Sequence, residues 1–288
     1  MENESAPLIS VIVPTYNRPE RLKIALQSIL NQTFEDFEII VVNDAGSDIQ
    51  DIVSSLNAKR SIVCIRHEIN KGLSAARNTG IEAARGKYIA YLDDDDLFYR
   101  NHLSTLVEFL ERHPGTIAYT DANCAFQKMI DGRWITLQRQ VIYSKEWNND
   151  EILIDNFVPV LCVMHEKSYL EKSGKFDESL NRHEDWDLWI RLSRHHHFVH
   201  IKNVTCEFTR RENKSSMTTQ SFAPFLKTMA RIHKKHADFA KKRPNILYAQ
   251  TMKRLKLRWL VSRESGGVKF IVKRLWLRFK VISLNFFK

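Results

Sequence analysis

With 288 residues, 43% apolar side chains and a formal charge of +10, the chain holds enough apolar material for a sizeable core and too much for a disordered polymer. No run of about 18 apolar residues occurs, which argues against a membrane-spanning helix. Cys64, Cys124, Cys162 and Cys206 are scattered without metal or CxxC spacing, so neither a zinc module nor a disulfide framework is expected and a reducing compartment fits.

The opening MENESAPLIS carries acids and no apolar h-region, so no signal peptide is expected. Residues 251–288 contain eleven Lys/Arg against the single acid Glu264, which accounts for the whole +10. The body is neutral and the tail is basic, which argues against a nucleic-acid-binding body.

In chain order, ISVIVPT (9–15) reads as a buried strand leading into a helix with Leu22, Ala25, Leu26, Ile29 and Leu30 at helical spacing. Pro19 sits where a first helical turn tolerates a missing N–H. A second strand, FEIIVVND, precedes DIQDIVSSL, with Ile49, Ile52, Val53 and Leu56 on one face. A third, SIVCIRHE, precedes the helix-like LSAARNTGIEAA, and a fourth, YIAYLDDDD, ends in acids. Strands apolar throughout and alternating with helices predict a mostly parallel central sheet flanked by helices. Such sheets bind ligands at the carboxyl ends of their strands.

Further on, TIAYTDA (116–122) reads as a strand, and MIDGRW as a hairpin turn through Asp131 and Gly132. HEDWDLWIRLS reads as a helix with Trp186, Leu188, Trp189 and Leu192 facing inward. From about 222 the chain looks helical and basic. The expected division is 1–221 as the main domain, in two halves of 8–98 and 99–221, followed by a helical extension over 222–288.

Four adjacent carboxylates, Asp93 to Asp96, repel one another at the end of an apolar strand. A divalent cation, Mg²⁺ or Mn²⁺, completed by substrate phosphates would relieve that repulsion; a solvated loop capping the next helix is the alternative. Asp44 in VVNDAGSD follows the second strand, with Gly46 supplying a tight turn, and suits either a nucleoside contact or an Asx turn. Arg77 and Lys71 are candidates for phosphate contacts or for a salt bridge within the fold. Glu184 and Asp185 precede an amphipathic helix, where a carboxylate serves as a general base or as a cap. His195, His196 and His197 are neighbours rather than an i, i+4 pair, which rejects a metal reading.

VIVPTYNR (11–18), VVNDAGSD (41–48), KGLSAARNTG (71–80), YIAYLDDDD (88–96) and HEDWDLWIRLS (183–193) together resemble the family 2 glycosyltransferases of the GT-A fold, in order and spacing, over about residues 8–215. The resemblance implies an inverting, metal-dependent transfer of a sugar from a nucleotide-sugar, usually UDP-linked, to a hydroxyl of a glycan or lipid-linked glycan, as in surface polysaccharide or lipopolysaccharide synthesis. It implies that Pro14, Tyr16 and Asp44 hold the nucleobase and that Arg77 binds the donor. Within the DXD motif, Asp95 becomes the direct metal ligand, and Asp93 and Asp94 meet the metal, the ribose or the donor sugar. Asp185 becomes the base, with Glu184 orienting it or the acceptor. Many relatives carry a histidine after the last core strand, where this chain has Arg210 and Arg211, so an arginine is a candidate partner for the departing diphosphate.

From Val268, the residues Ile271, Val272, Leu275, Trp276, Phe279, Ile282 and Phe286 fall near one helical stripe flanked by Lys269, Lys273, Arg274 and Lys280. A basic amphipathic helix of this kind suits an anionic membrane surface, giving an expected cytoplasmic, peripheral location on the inner face of the cell membrane. Packing on the body or on a second subunit is the alternative. The rival functional reading is a catalytically inactive, membrane-associated subunit that binds a nucleotide-sugar or glycan. A nucleotidyltransferase would need triphosphate-gripping loops, and a dinucleotide fold would need a glycine fingerprint that PTYNRP lacks.

Overall fold

The computed structural model describes residues 6–56, 62–212 and 222–264. They form two units, one of Met1–Ile152 with Asn156–Thr219 and one of Leu153–Asp155 with Gln220–Lys288.

In the first unit, β1 (Ile9–Thr15), α1 (Pro19–Leu30), β2 (Phe37–Asn43), α2 (Gln50–Ser55), β3 (Ile62–Arg66), α3 (Leu73–Ala83) and β4 (Tyr88–Tyr91) alternate as the apolar runs predict. Every residue of β1 and β2 is buried, because both are covered on two faces. Strand β3 lies at the sheet edge, and its pattern breaks into half-buried and exposed positions. The short α2 buries none of its own residues; Ile49 ahead of it does that work.

The remaining elements are β5 (Leu97–Phe98), α4 (His102–Arg112), β6 (Thr116–Ile130), β7 (Arg133–Tyr143), β8 (Val163–Glu166), α5 (Tyr169–Ser173), α6 (Glu184–Leu192) and β9 (His197–Arg211). Among the described residues they complete a nine-stranded sheet of order β3-β2-β1-β4-β8-β6-β9-β5, with β7 paired to β6. The pairs β1–β2, β2–β3 and β1–β4 are parallel. Beyond β4 the sheet is mixed: β8 runs antiparallel to β4 and β6, while β6 and β9 are parallel. Chain order reverses between β1 and β4, which opens a crevice at their carboxyl ends.

Two stretches differ from the sequence reading. The strand read as 116–122 continues to Ile130 as β6, and register shifts at Ala122/Asn123 and Phe126/Gln127 hide its alternation. Strand β4 stops at Tyr91, so the four acids lie in the turn beyond it. The hairpin is where it was read: Asp131 (φ 48°) and Gly132 (φ 75°) join β6 to β7 in the left-handed conformations that a two-residue loop requires.

Helix α6 is anchored by two fully buried indoles, Trp186 donating to the Ile152 carbonyl and Trp189 to that of Val158 at 3.1 Å. On the other side of the site, α3 presses onto β1 through Gly80, where a Cβ would stand 2.5 Å from Ile12 Cγ2.

The second unit contains α7 (Phe222–Lys235), α8 (Ala237–Ala240) and α9 (Pro244–Glu264). Met229, Ile232, Ala240 and Ile246 are buried in it. Gln250 donates to the Leu153 carbonyl at 2.8 Å, and Lys253 pairs with Asp155. No helix among the described residues is long and apolar enough to cross a membrane. The amphipathic stripe expected from Val268 lies outside the described residues.

Gly86 donates its N–H to Ser10 Oγ, and a Cβ there would stand 2.6 Å from the Ser10 nitrogen and 2.7 Å from the Ile9 carbonyl carbon. Gly86→Ala should therefore lower stability by about 1–3 kcal/mol, read as a lower urea midpoint. An unchanged midpoint would show that the backbone at Gly86 can withdraw from β1.

Candidate active site

The crevice between β1 and β4 collects loops from four strands. Pro14, Tyr16, Asp44, the run Asp93–Asp96 and Thr209 line one cleft of about 510 Å³.

Asp44 follows β2 and is buried. Its Oδ1 accepts from His67 Nδ1 at 2.7 Å and from the Lys71 N–H at 2.8 Å; Oδ2 accepts from the Gly72 N–H at 2.7 Å. The other ring nitrogen of His67 meets the Thr79 hydroxyl at 2.9 Å. Asp44 thus ties β2 to the start of α3, where Gly72 takes φ 91°. The tight turn after β2 falls on Ala45 (φ 61°) rather than on Gly46. Gly46 is required for space, since a Cβ there would lie 2.7 Å from the Asn17 nitrogen. Asn17 is itself left-handed (φ 55°), so two non-glycine residues carry backbone strain beside the cleft.

The four acids after β4 have different surroundings. Asp94 accepts from the Thr15 hydroxyl at 2.8 Å and from Arg18 Nη1 at 3.0 Å. Burial pushes its carboxyl up to about 6, with Asp95 adding to the rise and Arg18 opposing it. Asp96 accepts from the Thr209 N–H at 3.2 Å and is held well above the usual carboxylate range by burial, then by Asp95 and Asp93. Asp95 Oδ2 faces three guanidinium groups, Arg18 at 3.3 Å, Arg21 at 3.4 Å and Arg211 at 3.6 Å. Burial alone would lower the Arg18 pKa, but Asp94 and Asp95 raise it above the usual arginine value. Arg211, whose pKa burial and Arg21 lower, also lies over the Trp134 ring at 5.2 Å.

Arg77 of α3 has a side chain only 1% exposed, with Nη2 2.6 Å from Asp93 Oδ1 and Nη1 2.6 Å from Glu184 Oε1. Burial works to lower its pKa, and the two carboxylates outweigh that and raise it. Its Nε is buried with no hydrogen-bond partner among the described residues. The two acidic groups picked out in the sequence are therefore joined through one buried cation. Glu184 and Asp185 open α6 after His183, which caps the helix in a left-handed conformation (φ 59°). Half-buried Asp185 accepts from Asn156 Nδ2 at 3.0 Å and from the Trp186 N–H at 2.7 Å. Burial, then Glu184, pushes its carboxyl up to about 7, with Arg77 opposing.

The structure thus brings Pro14, Tyr16, Asp44 and Asp93–Asp95 to one cleft and links Glu184 to it through Arg77 and Asp93, while Glu184 and Asp185 are not among the residues that line that cleft. Sequence reasoning missed Arg18, Arg21, His67 and Asn156. His67 directly follows β3 at the same strand edge as Asp44, which was a usable signal; Asn156 sits in an irregular stretch that offered none.

Among the described residues no group of three or more His, Cys, Asp or Glu is arranged to hold a metal ion. A Mg²⁺ or Mn²⁺ site completed by substrate phosphates needs only one or two carboxylates. Asp93 and Asp95, with side chains 28% and 18% exposed against 5% for Asp94, supply such oxygens. The residues fit a hard divalent cation.

The family model described as glycosyl transferase family 2 matches residues 10–171. An uncharacterized glycosyltransferase of Rickettsia bellii is 33% identical over 186 residues, 64% of this chain and 26% of its own length. The chain spans 61% of the length of two further curated relatives, from Rickettsia typhi and Rickettsia prowazekii. The crystal structure of S. aureus TarS 1-349 in complex with UDP-GlcNAc is similar with a TM-score of 0.61 at 22% identity, covering 78% of this chain and 65% of that one. The mannosyltransferase PcManGT of Pyrobaculum calidifontis, in complex with GDP-Man and Mn²⁺, has a TM-score of 0.61 at 15% identity, covering 98% and 81%. At such identities the likeness is one of fold.

Arg77→Met would leave buried Glu184 and half-buried Asp93 without their cation. Stability should fall by about 3–5 kcal/mol, measured by urea unfolding. A loss below about 1 kcal/mol, the range of solvated surface pairs, would mean that Asp93 and Glu184 reach water.

Proposed function

The chain belongs to glycosyl transferase family 2, and from that premise we propose that it moves a sugar from a nucleotide diphosphate donor, UDP-linked, to a glycan hydroxyl with inversion at the anomeric carbon. The observation that carries this reading is the Arg77 bridge, which holds donor-side Asp93 and acceptor-side Glu184 in one ion network. Support for a UDP donor comes from the TarS complex with UDP-GlcNAc, and for a divalent cation from the PcManGT complex with Mn²⁺.

Pro14 and the exposed Tyr16 ring flank the nucleobase. Asp44 Oδ2, which among the described residues accepts only from Gly72, keeps a lone pair for a nucleobase N–H. Asp93 takes a hydroxyl of the ribose or donor sugar, while Asp94 keeps Arg18 and Thr15 in place. A Mn²⁺ or Mg²⁺ ion on Asp95 and Asp93 supplies charge neutralisation for the leaving diphosphate when bound. Arg18, Arg21 and Arg211 add guanidinium donors on the same side.

The acceptor hydroxyl gives its proton to Asp185 as its oxygen bonds to the anomeric carbon. The bond from that carbon to the diphosphate oxygen breaks on the opposite face, so the configuration inverts. Asn156 and the Trp186 N–H hold the Asp185 carboxylate in one orientation, and Glu184 keeps Arg77 beside it. A carboxyl near 7 suits a base that must both take and release a proton at neutral pH. The acceptor belongs to surface polysaccharide or lipopolysaccharide synthesis, and the basic tail keeps the enzyme at the inner membrane face where such lipid-linked glycans are built.

Screening nucleotide-sugars for metal-dependent release of diphosphate tests the reading, and chelation should abolish the release. Asp185→Asn should abolish transfer and leave UDP affinity nearly intact; loss of both would contradict the base assignment. In the parent enzyme kcat should climb as pH rises through about 7, because the active form of Asp185 is the deprotonated one. A rate independent of pH between 5 and 8 would exclude Asp185 as the base.

A further inference from the structure

The last residues of β9 alternate, placing Thr209 and Arg211 on one face and Phe208 and Arg210 on the other. Thr209 and Arg211 are committed to the acid run, through the Thr209 N–H to Asp96 and the Arg211 ion pair with Asp95. Phe208 and Arg210 have no such commitment.

The Phe208 ring, part of the cleft wall, stacks on Tyr143 of β7 with centroids 6.1 Å apart and planes at 26°. Both rings are half-buried, so an aromatic surface faces outward beside the donor cleft. Arg210 stands next to it, its Cζ 5.9 Å from the Phe208 centroid. Its Nη2 reaches the Tyr143 hydroxyl only at 3.4 Å, and its Nε is buried with no hydrogen-bond partner among the described residues. Among the described residues no carboxylate pairs with this half-buried guanidinium, a costly arrangement that an anion would relieve, and charge-assisted bonds to carboxylate or phosphate are the strong ones.

Resting on the glycosyl-transfer reading, we propose that Tyr143, Phe208 and Arg210 form an acceptor subsite for an anionic sugar. The apolar C–H face of a pyranose lies on the aromatic pair, and a carboxylate or phosphate on that sugar pairs with Arg210. The alternation of β9 thereby divides two neighbouring arginines between substrates, Arg211 toward the donor diphosphate and Arg210 toward the acceptor.

The test uses the full chain saturated with UDP and Mn²⁺, so that anionic probes do not enter the donor site. Methyl β-D-glucuronide, glucose 6-phosphate and methyl β-D-glucoside are titrated by isothermal titration calorimetry, with inorganic phosphate as a competitor. One charged sugar should bind about tenfold or more tightly than the neutral glycoside, as expected for a hydrogen bond to a charged group. Which of the two it is distinguishes carboxylate from phosphate. Arg210→Gln should erase the preference and Arg210→Lys should restore part of it. Phe208→Leu, which keeps apolar volume and removes the ring, should weaken charged and neutral sugars alike.

Equal binding of charged and neutral sugars, a preference that survives Arg210→Gln, or inorganic phosphate competing as well as the sugar would each overturn the subsite. If UDP binds and no sugar does, the subsite is refuted while the donor reading stands. If UDP itself does not bind, the donor reading fails, and the same titrations without nucleotide still decide the subsite.

Discussion

A guanidinium that is 1% exposed persists only because two carboxylates meet it at 2.6 Å, and much of the site depends on that triad. Removing an arginine from water costs several kcal/mol, which a single imperfect partner does not offset. The three side chains come from different places: Arg77 from α3, Asp93 from the turn after β4, and Glu184 from the start of α6. Their mutual need therefore fixes three elements at once. Asn78, next to Arg77, ties α3 further toward the segment ahead of α6 by donating to the Phe176 carbonyl at 3.0 Å and accepting from the Phe176 N–H at 2.9 Å. The helix is bound on both of the sides between which the chemistry must pass.

Around that triad the carboxylates diverge in behaviour because their surroundings do. Within four consecutive residues, Asp94 and Asp96 are buried and pushed toward the protonated form, whereas Asp93 and Asp95 stay more open to the cleft and each face arginine. The repulsion implied by four adjacent acids is thus eased by the burial of two of them and by the arginines at the other two. Asp185 lies close enough to Glu184 and deep enough to be raised to about 7, while Glu184 spends its charge on Arg77.

Much of this was legible in the sequence where the governing physics is local. Apolar runs at 11–13 and 39–42 announced strands covered on both faces, Pro19 marked a helix start, and Asp131-Gly132 marked a hairpin. The acid groups stood out because clustered charge at the end of a buried strand demands an explanation. Partners distant along the chain were not legible. That Arg77 would face Glu184, 107 residues later, or that Arg18 and Arg21 would turn toward Asp95, depends on the sheet having already closed. Strand β8 was hidden for the same reason: its antiparallel place between β4 and β6 is a property of topology, not of VMHE. Gly46 looked like a turn residue and serves a close approach, a distinction that only Asn17 reveals.

Arginine at the end of β9, where many family relatives carry a histidine, changes the charge balance of the cleft and not only its shape. A neutral imidazole can ligate a cation; a guanidinium cannot, but it carries a permanent charge and paired donors suited to phosphate. Arg211 with Arg18 and Arg21 surrounds Asp95. On the proposed reading, Asp95 and Asp93 would hold a divalent cation that would neutralise donor charge, and Arg18, Arg21 and Arg211 would offer their donors to the phosphate oxygens. As the sugar leaves, negative charge would return to the diphosphate, and the guanidinium groups beside Asp95 stand where they would share it.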